Sequence, residues 1–286
     1  MPRHEPIAIL KIPNIKFLPT KFSGKTVCLS VALVLLALLT RAAQAHPFWI
    51  KPEDFRPAAG AKVPLHLLVG VDFKGEPVLY TPEWIERYLY AGPDGAQDVT
   101  ATLGDDPAGY LPIKSAGFYT IGYYSKKFDI TFDDFAKFEE YLKLEGLERN
   151  IAVAQRRFKI RKGILELYTR CAKALLKVGD AAGPIDRVLG FPIEFIAETD
   201  PYGSDHKIRV RLLYRDKPLP DALVIAFNKK EPLNPQRIRT DKEGRATIEL
   251  NQPGEWLLNA VHMIPTGILS KADWESYWAS LTFERP

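Results

Sequence analysis

The chain has 286 residues, with 39 Lys+Arg against 35 Asp+Glu and a formal charge of +4. The basic excess is local: residues 1–45 hold six basic residues and one acid, so residues 46–286 carry 33 and 34, a net charge of −1. This removes the electrostatic basis for a nucleic-acid partner, and the single cysteine after residue 45, Cys171, excludes an intramolecular disulfide there.

In chain order, residues 1–26 carry Arg3, Lys11, Lys16, Lys21 and Lys25 against Glu5, and an apolar run follows from Val27 to Leu39. Thr40, Arg41 and the small-residue site Ala43-Gln44-Ala45 come next. A basic region, a short apolar core and an A-x-A site form a secretory signal peptide. The core is shorter than the roughly 20 apolar residues of a spanning helix. The long basic region and Arg41 keep an uncleaved anchor as the alternative, and Cys28 opens the apolar run where a lipoprotein cysteine would end it. Cleavage after Ala45 yields a 241-residue exported chain, expected to be soluble in the periplasm, that begins His46-Pro47-Phe48-Trp49.

Short alternating segments with frequent Pro and Gly dominate residues 46–130 and predict a β-sandwich. Strands are expected at Phe48–Ile50, after Lys62, at Ile85–Tyr90 and at Gly117–Ser125, a set that fits an immunoglobulin-like sandwich. Residues 131–187 form a helical insert or linker. Phe132, Phe135, Phe138, Tyr141, Leu142 and Leu144 recur at helical spacing, with Asp133 or Asp134 as cap and Gly146 near the end. The stretch from Gly163 to Lys177 suits a helix or an extended segment, and Cys171 within it reads as a packed core residue. Residues 188–286 predict a small antiparallel sandwich. Its strands fall at Lys207–Tyr214, Leu223–Asn228, Ala246–Leu250, Glu255–Met263 and Ser276–Phe283. The expected fold is therefore mainly β: two tandem β-sandwiches with a helical insert, after a cleaved signal peptide.

The pattern Lys217-Pro-Leu-Pro-Asp-Ala-Leu-Val, Thr240-Asp-Lys-Glu-Gly and Pro253-Gly-Glu-Trp resembles the transthyretin-like or carboxypeptidase-regulatory-like sandwich. Several further pieces resemble one exported bacterial family of unknown function, formerly labelled a NikM-like periplasmic component of nickel or cobalt uptake. These are His46-Pro-Phe-Trp-Ile, Tyr141-Leu-Lys-Leu-Glu-Gly-Leu, Tyr168-Thr-Arg-Cys-Ala-Lys-Ala-Leu, Gly254-Glu-Trp-Leu-Leu-Asn-Ala-Val-His-Met and Asp273-Trp-Glu-Ser-Tyr-Trp-Ala-Ser-Leu-Thr-Phe. The resemblance spans nearly all of the chain after residue 45. It implies handling of a metal ion; a membrane transporter or outer-membrane receptor is the partner expected of an adaptor at the cell envelope. A terminal histidine ahead of a β-sandwich is also similar to copper-resistance proteins of the CopC type, at the level of the fold alone.

Four histidines follow the signal: His46, His66, His206 and His262. A terminal His46 offers its α-amine and imidazole together, a chelate suited to Cu(II) or Ni(II), and an incidental exposed terminus is the plain alternative. His262 is the best expected partner, at the end of a strand where it shares a face with Trp256, Leu258 and Ala260. That face is apolar, so a core histidine is the competing reading. His206 lies in the polar turn Asp200-Pro-Tyr-Gly-Ser-Asp-His as a third ligand candidate, and His66 is expected at the surface. Trp274, Tyr277 and Trp278 suit packing more than a groove. The chain contains no zinc-hydrolase helix, phosphate loop or G-x-S-x-G elbow. Three readings follow: a periplasmic nickel, cobalt or copper binding protein using His46, His262 and His206; a non-catalytic envelope adaptor without a metal site; and an oxidase built on a copper brace at His46.

Overall fold

The computed structural model of the chain describes residues 46–158, 163–181, 183–267 and 269–286. The expected export signal and its cleavage junction, residues 1–45, lie outside them. The first strands are β1 (Phe48–Pro52), β2 (Lys62–Val71), β3 (Lys74–Pro77), β4 (Ile85–Gly92), β5 (Gly95–Asp98), β6 (Tyr110–Pro112), β7 (Gly117–Ser125) and β8 (Phe128–Phe132). Helices α1 (Phe135–Leu144) and α2 (Ile151–Phe158) precede the long strand β9 (Ile164–Val178). The remainder is β10 (Ile193–Ala197), β11 (Lys207–Tyr214), β12 (Lys217–Pro218), β13 (Leu223–Asn228), β14 (Gln236–Arg239), β15 (Arg245–Glu249), β16 (Gly254–Pro265) and β17 (Trp274–Arg285).

The chain is mainly β, and its two sandwiches share one sheet. Nine strands form that central sheet in the order β14-β13-β16-β17-β9-β7-β4-β5, with β8 also paired to β9. It draws strands from both the 46–130 and the 188–286 segments. The stretch after Gly163, for which the sequence allowed helix or strand, is β9, and it lies at the middle of the sheet. Strand alternation then decides which layer covers which side chain. On the first face, Tyr123 of β7 and Ala172, Ala174 and Leu176 of β9 pack against Phe48, Ile50, Leu65 and Leu67 of the small β1–β2 layer. Further along, Ile164, Val261, Met263, Trp274 and Trp278 pack under Phe138, Tyr141 and Leu142 of α1. The opposite side chains, among them Cys171, Leu175, Leu258, Ala260, Ala279 and Leu281, pack against Ile193, Phe195, Ile208, Val210 and Ile248 of the β10–β11–β15 layer. Trp274, Tyr277 and Trp278 are all buried, as packing residues should be. Burial also pushes the Cys171 thiol up to about 12, consistent with an inert core cysteine.

One buried ionic cluster joins the central sheet to the second-face layer. Lys173 of β9 is fully buried, with Nζ 2.9 Å from Asp186 and 3.3 Å from Glu194. It also donates to the carbonyls of Arg187 at 2.8 Å and Phe195 at 2.9 Å. Glu194 accepts backbone N–H bonds from Leu189, Gly190 and Phe191, and Asp186 accepts from Thr120 Oγ1 and from the amides of Arg187 and Ala197. Every charge in the cluster is thus hydrogen-bonded, as a water-free site requires. Replacing Lys173 by Met is expected to strand two buried carboxylates and to lower unfolding free energy by about 3–5 kcal/mol. Urea denaturation of the two proteins measures this, and a loss under about 1 kcal/mol would contradict the assignment.

Candidate functional site

The N-terminal residues are seated by the central sheet. Ser280 and Thr282 of β17 donate to the carbonyls of Phe48 and Ile50 at 2.7 and 2.6 Å, and the Gly70 amide donates to Pro47 O at 3.1 Å. These bonds bring His46 and Pro47 to a cavity of about 160 Å³ on the first face, between the β1–β2 layer and α1. Val71 and Asp72 enter from the β2–β3 turn, Tyr141, Leu144 and Glu145 from α1 and its end, and Ile225, Phe227 and Asn259 from the central sheet. Arg237 of β14 completes the wall.

The helix is placed by local chemistry that its sequence spells out. Asp134 caps its start by accepting from the Lys137 amide at 2.9 Å. Phe132, which the helical spacing counted with it, is instead the last residue of β8, because the cap falls two residues later. The helix ends at Gly146, whose φ of +70° favours glycine, and a Cβ there would stand 2.4 Å from the Leu223 Cβ. Arg237 Nη2 donates to Leu144 O at 2.7 Å, and Arg239 reaches Gly146 O and Glu148, so β14 fastens the helix end beside the cavity.

Two carboxyls in this region titrate unusually. Burial pushes Glu145 up to about 7, with Arg237 opposing and the Glu166 charge adding to the shift. Burial likewise raises Glu166 to about 7, against hydrogen bonds from Ser276 and Tyr141. Tyr141 Oη donates to Glu166 at 3.0 Å, Ser276 Oγ donates to the same oxygen, and Trp278 Nε1 donates to Ser276 Oγ at 3.1 Å. The second Glu166 oxygen is buried without a hydrogen-bond partner. A carboxyl so placed is easier to keep protonated than charged.

The candidate histidines do not converge. Asn259 and Leu257 of β16 face the first side of the sheet, whereas Leu258, Ala260 and His262 face the second, where His262 lies 4.3 Å from the Tyr214 ring. The expected pairing of His46 with His262 is therefore not made, because strand alternation puts the sheet between them. His262 Nδ1 accepts from Arg149 at 2.9 Å. Burial, then Arg149 and Arg215, pull its pKa down to about 4, so it is neutral at pH 7. His206 stands beside the Arg285 guanidinium. Arg285 pairs with Gly254, eight residues along β16 from His262, which is about 26 Å of strand. His66 is half-buried rather than exposed, with Nδ1 2.6 Å from Asp106 and Nε2 3.0 Å from Glu53. Among the described residues, no group of three or more His, Cys, Asp or Glu side chains is arranged to hold a metal ion. Guanidinium neighbours at His262 and His206 are also the wrong sign for a cation, so these residues do not fit one shared transition-metal centre. The residues the sequence did not single out are Asp72, Glu145, Arg237 and Asn259. Glu145 has a local signal, a carboxylate directly before the helix-ending Gly146.

Fold and cavity together define a shared-sheet β-sandwich protein with a small pocket, lined by acidic, basic and aromatic side chains, beside His46. The chain belongs to the family described as a domain of unknown function (DUF4198), whose profile matches residues 43–264. No curated protein matches the sequence. The solved structures it is similar to include the D0-D1 domain of Intimin, at 10% identity and a TM-score of 0.20 over 82% of this chain and 96% of that one. They also include three N-terminal domains of the bacteriophage RB49 highly immunogenic outer capsid protein, at 10% identity and 0.20 over 84% and 70% of the two chains. A third is the D00-D0 domain of Intimin, at 11% and 0.17 over 83% and 99%. Similarity at these scores carries no functional weight.

The raised Glu166 carboxyl makes a pH prediction. Its folded value near 7 exceeds the ordinary 4.5, so its stabilising effect is full below pH 4.5 and is lost as pH rises through 7. Glu166→Gln is expected to remove that loss and to gain about 1–3 kcal/mol at pH 8 relative to pH 4.5. The opposite dependence of His262 is common to both proteins and cancels in the comparison. Denaturant melts of the pair at the two pH values check this, and equal pH slopes would refute it.

Proposed function

We propose that this chain is a non-catalytic binding module of the cell envelope, exported to the periplasm and working as an adaptor or ligand-holding protein. The observation that carries the reading is where the backbone is strained. Among the described residues, the non-glycine residues with positive φ are Asp72, Phe73, Arg215, Asp216 and Asp221. All but Phe73 line cavities. Side chains kept at such positions despite the cost mark surfaces that are used. The rigid sheet behind them supplies a fixed platform for recognition. The scatter of the histidines, and the arginines against two of them, favour this reading over a shared metal centre.

A second reading keeps a metal at the first cavity alone. His46 would contribute its amine and imidazole once the signal is removed, and Glu145 or Asp72, which line the same cavity, would add an oxygen. Nickel, cobalt and copper all suit such a nitrogen-rich set, and delivery to a membrane transporter or outer-membrane receptor would be its purpose. A copper-brace oxidase needs a second imidazole near His46, and His262 lies across the sheet.

Calorimetric titration of the exported protein with Cu(II) and Ni(II) separates the readings. The binding-module reading expects no stoichiometric site below about 1 µM, and the same weak response in His46→Ala. Tight one-to-one binding lost in both His46→Ala and Glu145→Gln would overturn it in favour of the metal reading.

A further inference from the structure

The larger cavity on the second face, of about 420 Å³, is bounded by Gly190, Phe191 and Pro192, and its charges already cancel, Lys127 with Glu275 and Arg215 beside Asp216. The layer that covers this face carries an outer surface whose charges do not. Ile208, Val210 and Leu212 of β11 and Ala246 and Ile248 of β15 point into the core. Alternation therefore turns Lys207, Arg209 and Arg211 of β11, and Arg245, Thr247 and Glu249 of β15, to the outside. Lys207 pairs with Glu249 at 2.8 Å. Among the described residues, Glu198, just past β10, is then the one carboxylate paired with the three arginines.

The three guanidiniums converge on it. Arg209 Nε and Arg245 Nε each donate to Glu198 Oε2 at 2.9 Å, and Arg211 Nη2 lies 2.5 Å from Oε1. Arg211 and Arg245 are register partners on adjacent strands, where like charges directly opposite repel. One carboxylate cannot satisfy three forks, and Arg211 Nε is buried with no acceptor. The Arg209, Arg211 and Arg245 side chains keep 52%, 32% and 34% of their surface open to water, so the cluster can be reached. In the turn before β15, Lys242 and Glu243 cancel, and Asp241 is held by the Glu243 and Arg245 amides at 2.9 and 2.8 Å. The outward side chains thus set Lys207, Arg209, Arg211 and Arg245 against Glu198 and Glu249, an excess of two positive charges.

We infer that the Arg209, Arg211 and Arg245 cluster is a binding site for a phosphate group, and that Glu198 is its built-in competitor. A phosphate monoester carries close to two negative charges and three acceptor oxygens, which match the excess charge and the three guanidiniums. Arginine forks suit phosphate oxygens, and Thr247, the register partner of Arg209, adds a hydroxyl donor on the same surface. Glu198 sets the selectivity. A singly charged ligand gains little by replacing a carboxylate, whereas a dianion neutralises the cluster. The inference is independent of His46 and of whatever the cavities hold.

The test is a phosphorus NMR titration of inorganic phosphate with the full exported chain, where Kd is expected on the order of 1 mM. Glu198→Gln withdraws the competing charge and is expected to bind phosphate at least about tenfold more tightly. Arg209→Gln, at a side chain largely in water, leaves the fold intact and is expected to weaken binding about tenfold. Cosedimentation with phosphatidic acid and with phosphatidylcholine vesicles separates the sources of the phosphate. Pelleting with the acidic vesicles alone, lost in Arg209→Gln, supports a lipid headgroup, and NMR binding without pelleting supports a soluble phosphate. A purely structural ion cluster predicts instead that Glu198→Gln lowers Tm without tightening phosphate. That outcome, no saturation up to about 20 mM phosphate together with no pelleting, or full affinity in Arg209→Gln would overturn the assignment.

Discussion

A lysine with no exposure to water is the constraint on which this fold turns. Lys173 sits on the face of β9 that also carries Cys171 and Leu175, deep in an otherwise apolar core. It can remain there only if Asp186, Glu194 and two backbone carbonyls converge on it, which ties the loop before β10 to the middle of the central sheet. Such a cluster gains little over a well-packed apolar substitute. Its effect is positional, because any other docking of the β10–β11–β15 layer would leave bare charges in the interior. Gly190, Phe191 and Pro192, which shape the second-face cavity, are in the same loop, and two of them donate their amides to Glu194. The stability of the core and the shape of the cavity therefore have one origin.

Much of the architecture was legible from residue patterns. The alternation at Lys62–Val71, Gly117–Ser125 and Lys207–Tyr214 returned strands, and Asp134 with Gly146 bounded α1. The part that was not legible is the sharing of one sheet. The stretch Ile164–Val178 alternates weakly because both of its faces are buried, which erases the polar period that marks a surface strand. A lysine in that stretch was a signal of an internal ion pair, but its partners lie 13 and 21 residues further on, and sequence spacing does not reveal them.

The site was less legible than the fold. His46 does line a cavity, but its neighbours come from a hairpin turn, a helix end and two strands far apart in the chain. His262 was correctly put on the face of Trp256, Leu258 and Ala260, and that same placement takes it to the far side of the sheet from His46. Sequence gives the side of a strand readily, but which layer covers that side follows only from the topology.

The parallel pairing of β9 with β17 has a consequence for when the molecule can form. It joins residues 166–174 to residues 274–282, and β17 is also the strand whose hydroxyls hold the carbonyls of Phe48 and Ile50. Residues 48 and 50 are thus seated by residues 280 and 282, more than 230 positions away. In a chain made N-terminus first, Phe48, Ile50, α1 and the middle of the sheet lack native partners until β17 is made. Contacts this distant in sequence make for late, all-at-once closure. Closure of the central sheet therefore waits on the strand at 274–285, however early the strands on either side of it are made.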